Sequence, residues 1–322
     1  MSEITGPSGA QKALNWAKNN NTVIIFALML IVAALTTSSF FTERNIMNVL
    51  RQSSSVGIIS VGMLLVVLTR GIDLSVGSNA ALGAVVAALV VQTQHPAVAL
   101  LVALGVGAGA GLISGFFVAY MRLPAFVVTL ALMTVARGLA LILSRGQPIQ
   151  LGSSGEAFSA FAQGYLFGLP YPVILMLVVF LLGGVLLNFT RPGRIITAIG
   201  SNEEAVHLSG VNVRAYVLSV YVVSGVLAVL AGIITMGRSG VGAPSIGSGA
   251  ELDAIAAVVI GGASLMGGKG GVFGALLGVL TLGVIRNVMN LSGVPGYHQE
   301  VMMGVIIITA VLLQYLSSHR SK

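Results

Sequence analysis

Only 8% of this 322-residue chain is charged. Each ionisable side chain set among apolar neighbours is therefore a candidate for chemistry. Asp73 interrupts an apolar run, in Arg70-Gly71-Ile72-Asp73-Leu74-Ser75. A carboxylate there costs about 2.5–3.5 kcal/mol at the centre of a bilayer and less near its edge. It reads either as a pathway or gating residue, with Ser75 and Asn79 beside it at the helix break, or as the N-cap of the next helix, paired with Arg70. Glu251 and Asp253 fall in the first turn of another apolar segment, where acids complement the helix dipole and capping is the default. Arg137 lies midway along an apolar segment with no charged neighbour in sequence, so it must face the protein interior, water or an acid. A structural ion pair and a pathway role both remain open for it.

Enzymatic chemistry finds no support. Gly267-Gly268-Lys269-Gly270 has Ala263 where a phosphate loop needs Gly, and Gly270 where it needs Ser or Thr. The four His residues, 95, 207, 298 and 319, have no metal-ligand spacing, so no metal site is expected. No Ser/His/acid set falls in one cleft, so no catalytic residue is assigned. The absence of Cys excludes thiol and disulfide chemistry. Active transport by such a chain needs an ion gradient or a separate motor.

The elements that position these residues are apolar helices. Hydrophobic residues make up 56% of the chain and mean hydropathy is +0.99, which marks an all-α polytopic membrane protein. The net charge of +7 is scattered through short loops, so it speaks for orientation and not for nucleic acid. At ~20 residues per span, about ten helices are expected: 22–37, 55–69, 74–91, 97–120, 125–143, 171–189, 216–236, 251–265, 272–289 and 300–316. In the linker 38–54, Ile46, Val49 and Leu50 share a face, which predicts an interfacial amphipathic segment. Residues 144–170 read as a Gly/Ser/Pro-rich loop. Gly107, Gly111 and Gly115, and again Gly270, Gly274 and Gly278, recur every fourth residue and predict faces for close helix packing.

The positive-inside rule places both termini in the cytoplasm. Lys12, Lys18, Arg70, Arg122, Arg191, Arg194, Arg214, Lys269, Arg320 and Lys322 then lie inside, and Arg44, Arg51, Arg145, Arg238 and Arg286 outside. The stretches 69–84 and 237–262 echo one another: each follows a span, opens a short one and carries acids at the break. With the two halves running oppositely, this predicts an inverted repeat. The divisions follow: an N-terminal cytoplasmic segment 1–21, helices one to six in 22–189, a cytoplasmic loop 190–215, helices seven to ten in 216–316, and a cytoplasmic C-terminus 317–322.

That loop holds RPGRIITAIGSNEEAVHLSGV at 191–211, polar and charged between two long apolar segments. It cannot stay in hydrocarbon. Residues 202–208 have helical composition, with Gly200 and Ser201 before them and Gly210 after. A short charged helix held against a membrane is a docking surface. Only Arg137 is clearly deep within a span, so an external motor acting on this loop is favoured over an internal ion site.

GSNEEAVHLSGV at 200–211 resembles the cytoplasmic EAA-type loop of ABC importer permeases. RGIDLSVGS at 70–78 and ELDAIAAVVIGGASLMGGKG at 251–270 resemble the signature stretches of the ribose/xylose/arabinose permease family, closest to its ribose-type members. The resemblance implies a type II importer-like homodimer in the bacterial inner membrane, a translocation subunit and not an enzyme. A periplasmic sugar-binding protein would deliver substrate. A cytoplasmic ATPase, carrying ATP and Mg that this chain does not bind, would dock on the loop. Glu203, Glu204, Ala205 and Gly210, with Arg194 and His207 in the same stretch, become coupling residues. The permease itself is expected to bind sugar weakly. The alternatives are a branched-chain amino-acid importer permease, an ion-coupled secondary transporter and a passive channel.

Overall fold

The computed structural model describes residues 21–319. The expected N-terminal segment with Lys12 and Lys18, and the basic residues Arg320 and Lys322, lie outside the described residues. Thirteen α-helices are seen among those described: α1 Asn21–Thr36, α2 Glu43–Leu68, α3 Val76–Val90, α4 Pro96–Ala119, α5 Ala125–Ser144, α6 Glu156–Gln163, α7 Tyr171–Phe189, α8 Arg191–Ser201, α9 Glu203–Leu208, α10 Val213–Ser239, α11 Ala250–Ile260, α12 Val272–Leu291 and α13 Gly296–His319. Six of them, α2, α4, α5, α7, α10 and α12, are long and apolar enough to cross a membrane. Each of the ten expected apolar segments falls on a helix.

Two expectations are corrected here. The linker 38–54 is helical from Glu43 but is not separate from the span that follows it. Residues from Glu43 onward continue unbroken into α2, a helix of 26 residues, and Val49 and Ser53 are already buried in the bundle. The loop 144–170 is not structureless. It holds α6, whose Phe158 and Ala162 pack on α10 at Gly237, and a short strand β1, Ile149–Gln150. Strands β2 (Tyr165–Leu166) and β3 (Leu169–Pro170) form a hairpin, and β1 pairs antiparallel with β4, Val241–Gly242.

Helices α2 and α10 form the centre. Every residue from Gly57 to Leu68 is buried, and Tyr221 on α10 is among the largest side chains wholly hidden. Around them α7, α11 and α12 close one apolar core, and α3, α4 and α5 a second. The outer helices keep large apolar side chains uncovered: Leu101, Ile142 and Leu181 are 69%, 72% and 66% exposed. A soluble surface does not carry so many, whereas a hydrocarbon-facing one must.

The connections gather at two ends. At one, β1 meets β4, Gln92 donates to the Gln150 carbonyl at 2.9 Å, and Arg51 lies over the Tyr165 ring. At the other, the end of α2, the end of α8 and the loop after α11 converge.

The glycines at 107, 111 and 115 set the separation of α4 from α10. A Cβ on Gly107 would strike the Gly225 carbonyl, one on Gly111 the Tyr221 carbonyl, and one on Gly115 the Leu218 backbone. Gly274 and Gly278 do the same for α12 against the Gly261 and Ala257 carbonyls of α11. Gly270 does not belong to that face, contrary to the expected triplet. It precedes α12 in the loop, at a φ of 154°. Gly111→Leu is expected to lower the unfolding midpoint of the detergent-solubilised protein by several degrees, an overpacking cost of about 1–3 kcal/mol. Gly109→Ala on the same helix, where a Cβ meets nothing, should hold or raise it.

Candidate functional site

The polar stretch between α7 and α10 folds as two helices where one was expected. Thr190 caps α8, its Oγ1 accepting from the Gly193 N–H at 3.3 Å, and Pro192 sits in the first turn. Ile196 and Ile199 are buried on one side of α8 while Arg194 stays exposed on the other. Gly193 rides on the Leu186 carbonyl of α7, and Gly200 rests on the Leu68 carbonyl at the end of α2. This amphipathic helix is a rigid strut against the bundle.

Helix α9 follows at once. Asn202 Oδ1 accepts from the Ala205 N–H at 3.0 Å and caps it, with Glu203 and Glu204 in the first turn and His207 in the last. None of its residues is buried. Leu208 is 80% exposed, an apolar side chain the sequence did not single out. Gly210 takes a φ of 77° and its N–H donates to the His207 carbonyl, which turns the chain back toward α10. Arg70, Arg122 and Arg214 line an open groove at this end together with Glu203, Glu204 and His207.

Arg70 fixes the strut to the rest. Its Nε donates to the Gly200 carbonyl at 2.7 Å and the Met266 carbonyl at 3.1 Å, and its Nη2 to the Ser201 carbonyl at 2.9 Å. One planar guanidinium thus ties the α2–α3 break, the end of α8 and the loop after α11. Its own backbone is left-handed, φ 64°, where a non-glycine residue is strained. Beside it the Gly268 N–H donates to the Leu68 carbonyl at 3.1 Å.

The expected pairing of Arg70 with Asp73 is not formed. Asp73 is 1% exposed and points into the bundle. Its Oδ1 accepts from Ser75 N–H at 3.0 Å and Ser75 Oγ at 2.6 Å, and its Oδ2 from Ser224 Oγ of α10 at 2.8 Å. Asn79 donates onward to Ser75 Oγ at 3.0 Å. Asp73 therefore holds the turn into α3 and moors it to α10. The Ile72 carbonyl is taken by Thr129 of α5 at 3.1 Å.

Arg137 has its partners in the backbone. Nη1 donates to the Pro244 carbonyl and, at 3.0 Å, to the Ile246 carbonyl, so α5 supports the loop leading into α11. That loop meets the start of α3 inside the bundle. Cβ atoms on Gly77 and Gly247 would each collide with the other's carbonyl, and Glu251 Oε2 lies against Gly77. Asp253 sits apart from these: its Oδ1 receives Arg286 Nη2 of α12 at 2.5 Å. Arg286 is therefore no loop residue of the outer end. As a second cation within an apolar helix it was a legible signal. The six residues picked at the helix breaks divide into four places, a mooring (Asp73, Ser75, Asn79), a loop support (Arg137), a carboxylate against Gly77 whose Oε2 has no hydrogen-bond partner (Glu251) and an ion pair (Asp253). Ser224, Pro244 and Ile246 carried no sequence signal, since two of them act through carbonyls.

Comparison with known proteins follows from this geometry. A family model described as branched-chain amino acid transport system / permease component matches residues 45–311. Ribose import permease protein RbsC of Escherichia coli (strain K12) is 46% identical over 277 residues, 85% of this chain and 86% of that one. The protein of the same name from Bacillus subtilis (strain 168) is 43% identical over 85% of each chain. D-allose transport system permease protein AlsC of Escherichia coli (strain K12) is 38% identical over 87% of this chain and 86% of its own. No solved structure gives a significant match.

Ser224→Ala would leave Asp73 Oδ2 buried without a donor and is expected to cost about 1–3 kcal/mol. Tyr221→Phe removes a buried hydroxyl that has no partner and should cost little. Thermal unfolding of the two purified variants checks the contrast.

Proposed function

The chain belongs to the branched-chain amino acid transport system / permease component family, and from that premise we propose that it is the membrane permease subunit of an ATP-driven ABC importer for ribose or a closely related monosaccharide. The observation that carries this reading is the 46% identity to a ribose import permease across 85% of the chain. The family description names amino acids, but relatives that are 46%, 43% and 38% identical are named for ribose and allose, which favours a sugar.

In this reading two copies pair in the bacterial inner membrane, surrounded by lipid, with both termini and α9 in the cytoplasm. The broken stretches after α2 and α10 are counterparts in two inverted halves. A separate ATPase, holding ATP and Mg, seats on α9 and its surroundings. Glu203, Glu204 and His207 supply charge, and Leu208 and Met266, 80% and 81% exposed, supply apolar contact. A sugar-binding protein docks at the opposite end, where the β2–β3 hairpin presents Phe167, 97% exposed.

The strut geometry gives the coupling its physical form. Motor closure moves α9, α8 moves with it as one body, and Arg70 passes the displacement to the α2–α3 break and to the loop after α11. Carbonyl acceptors suit this task, because their direction constrains the angle as well as the distance. Lysine, a point donor on a flexible stem, cannot span the same acceptors in one plane.

Combined replacement of Glu203 and Gly210 is expected to abolish ribose uptake while the protein still inserts. Undiminished uptake would refute the coupling role. Arg70→Ala and Arg70→Lys should both retain ATPase co-purification and ATP hydrolysis yet lose uptake at least about tenfold, as expected when an interaction of the working state alone is removed. A single cysteine at His207 should be shielded from impermeant reagents in intact cells. Uptake that survives vanadate and collapses with a protonophore would instead indicate an ion-coupled transporter.

A further inference from the structure

Between α2, α10, α11 and α12 lie two adjoining cavities of about 60 and 180 Å³, which share Gln52, Val56, Asp253 and Arg286. They open toward the end that holds β4 and the loop into α11, away from α9. Their lining is unusually polar for a bundle with so few charges. It includes the Asp253–Arg286 pair, Arg238, Gln52 and the bonded hydroxyls of Ser55 and Thr235, 3.1 Å apart. Ser53 faces the smaller cavity too, with Oγ buried and without a partner. Ser53 and Asp253 are buried there, and polar groups kept inside a membrane bundle are costly unless something uses them. Here the helix breaks do not use them, for those are satisfied by Arg70, Asp73 and Arg137.

We propose that this crevice is the groove through which the permease accepts sugar, with Gln52, Ser55, Thr235, Arg238, Asp253 and Arg286 exchanging hydrogen bonds with the hydroxyl groups of a neutral monosaccharide. The inference rests on the sugar-permease reading and names its acceptor site. Asp253 and Arg286 neutralise one another and Arg238 is exposed to solvent, so a neutral polyol enters without stranding a charge. Amide and hydroxyl side chains both donate and accept, as vicinal hydroxyls do. Ala80, Ala231, Gly232 and Gly247 give the groove width on its inner side. It contains no aromatic ring on which a sugar face could settle, which keeps the hold weak, as passage requires.

The chain has no Cys, so single cysteines report cleanly. Gln52→Cys and Thr235→Cys, and Leu139→Cys on the exposed face of α5 as control, are each reconstituted in liposomes with the ATPase and the binding protein. The probe is D-ribose, and the reagent is a membrane-impermeant trimethylammonium methanethiosulfonate. Modification of either groove cysteine should lower ribose uptake about tenfold, the scale of losing a transport-state interaction, while ATP hydrolysis stays within about twofold. Labelling should slow during turnover with ribose. Thr235→Ser should keep uptake and Thr235→Val reduce it. Groove cysteines that resist the reagent, or that react without loss of uptake, would overturn the proposal and leave the permease reading standing. Failure of the unmodified transporter to carry ribose, allose or arabinose would instead strike the sugar reading, and the labelling pattern would still decide whether the groove is open to water.

Discussion

A helix that stops inside hydrocarbon leaves amides and carbonyls that no water can reach, and these must be satisfied from within the protein. The turn into α3 and the loop into α11 meet that constraint inside the bundle, whereas the tie at the end of α2 is partly exposed. Arg70 serves the carbonyls of Gly200, Ser201 and Met266; Asp73 takes the Ser75 N–H; Arg137 holds the carbonyls of Pro244 and Ile246; Thr129 takes the Ile72 carbonyl. The scarce charges of the bundle are mostly spent on backbone. Asp253 and Arg286 differ, because they engage each other beside open space.

This division has a mechanical consequence. The buried α2 and α10 cannot shift without disturbing both apolar cores. The breaks are different, since each is held by a few directional hydrogen bonds that can tilt or exchange. In the proposed reading, motion entering through α8 and α9 reaches such a joint at Arg70. The glycine contacts of α4 with α10 and of α11 with α12 keep those stiff pairs at fixed separation.

The two ends of the molecule are correspondingly unlike. At the α9 end, the exposed surface mixes the charge and the uncovered Leu208 of a short capped helix with the uncovered Met266 of the loop after α11. At the other, paired strands and a hairpin frame the mouth of a polar crevice. Between them, the meeting of Gly77 with Gly247 brings the two broken segments into contact.

Composition and periodicity determined by themselves that the chain is a helical membrane protein, where its apolar segments run, and that residues 191–211 must leave the bilayer, because these follow from the free energy of transferring each segment into hydrocarbon. The two signature stretches and the charged loop pointed to the permease family on the same local basis. Partnership was not legible. That Arg70 serves carbonyls and not Asp73, that Arg137 holds the Pro244–Ile246 loop, that Gly270 leaves the glycine face, and that Arg286 reaches Asp253 were decided only by tertiary structure. A carbonyl acceptor has no residue type, so no pattern of side chains can announce it; only the packed backbone brings it within reach of a donor.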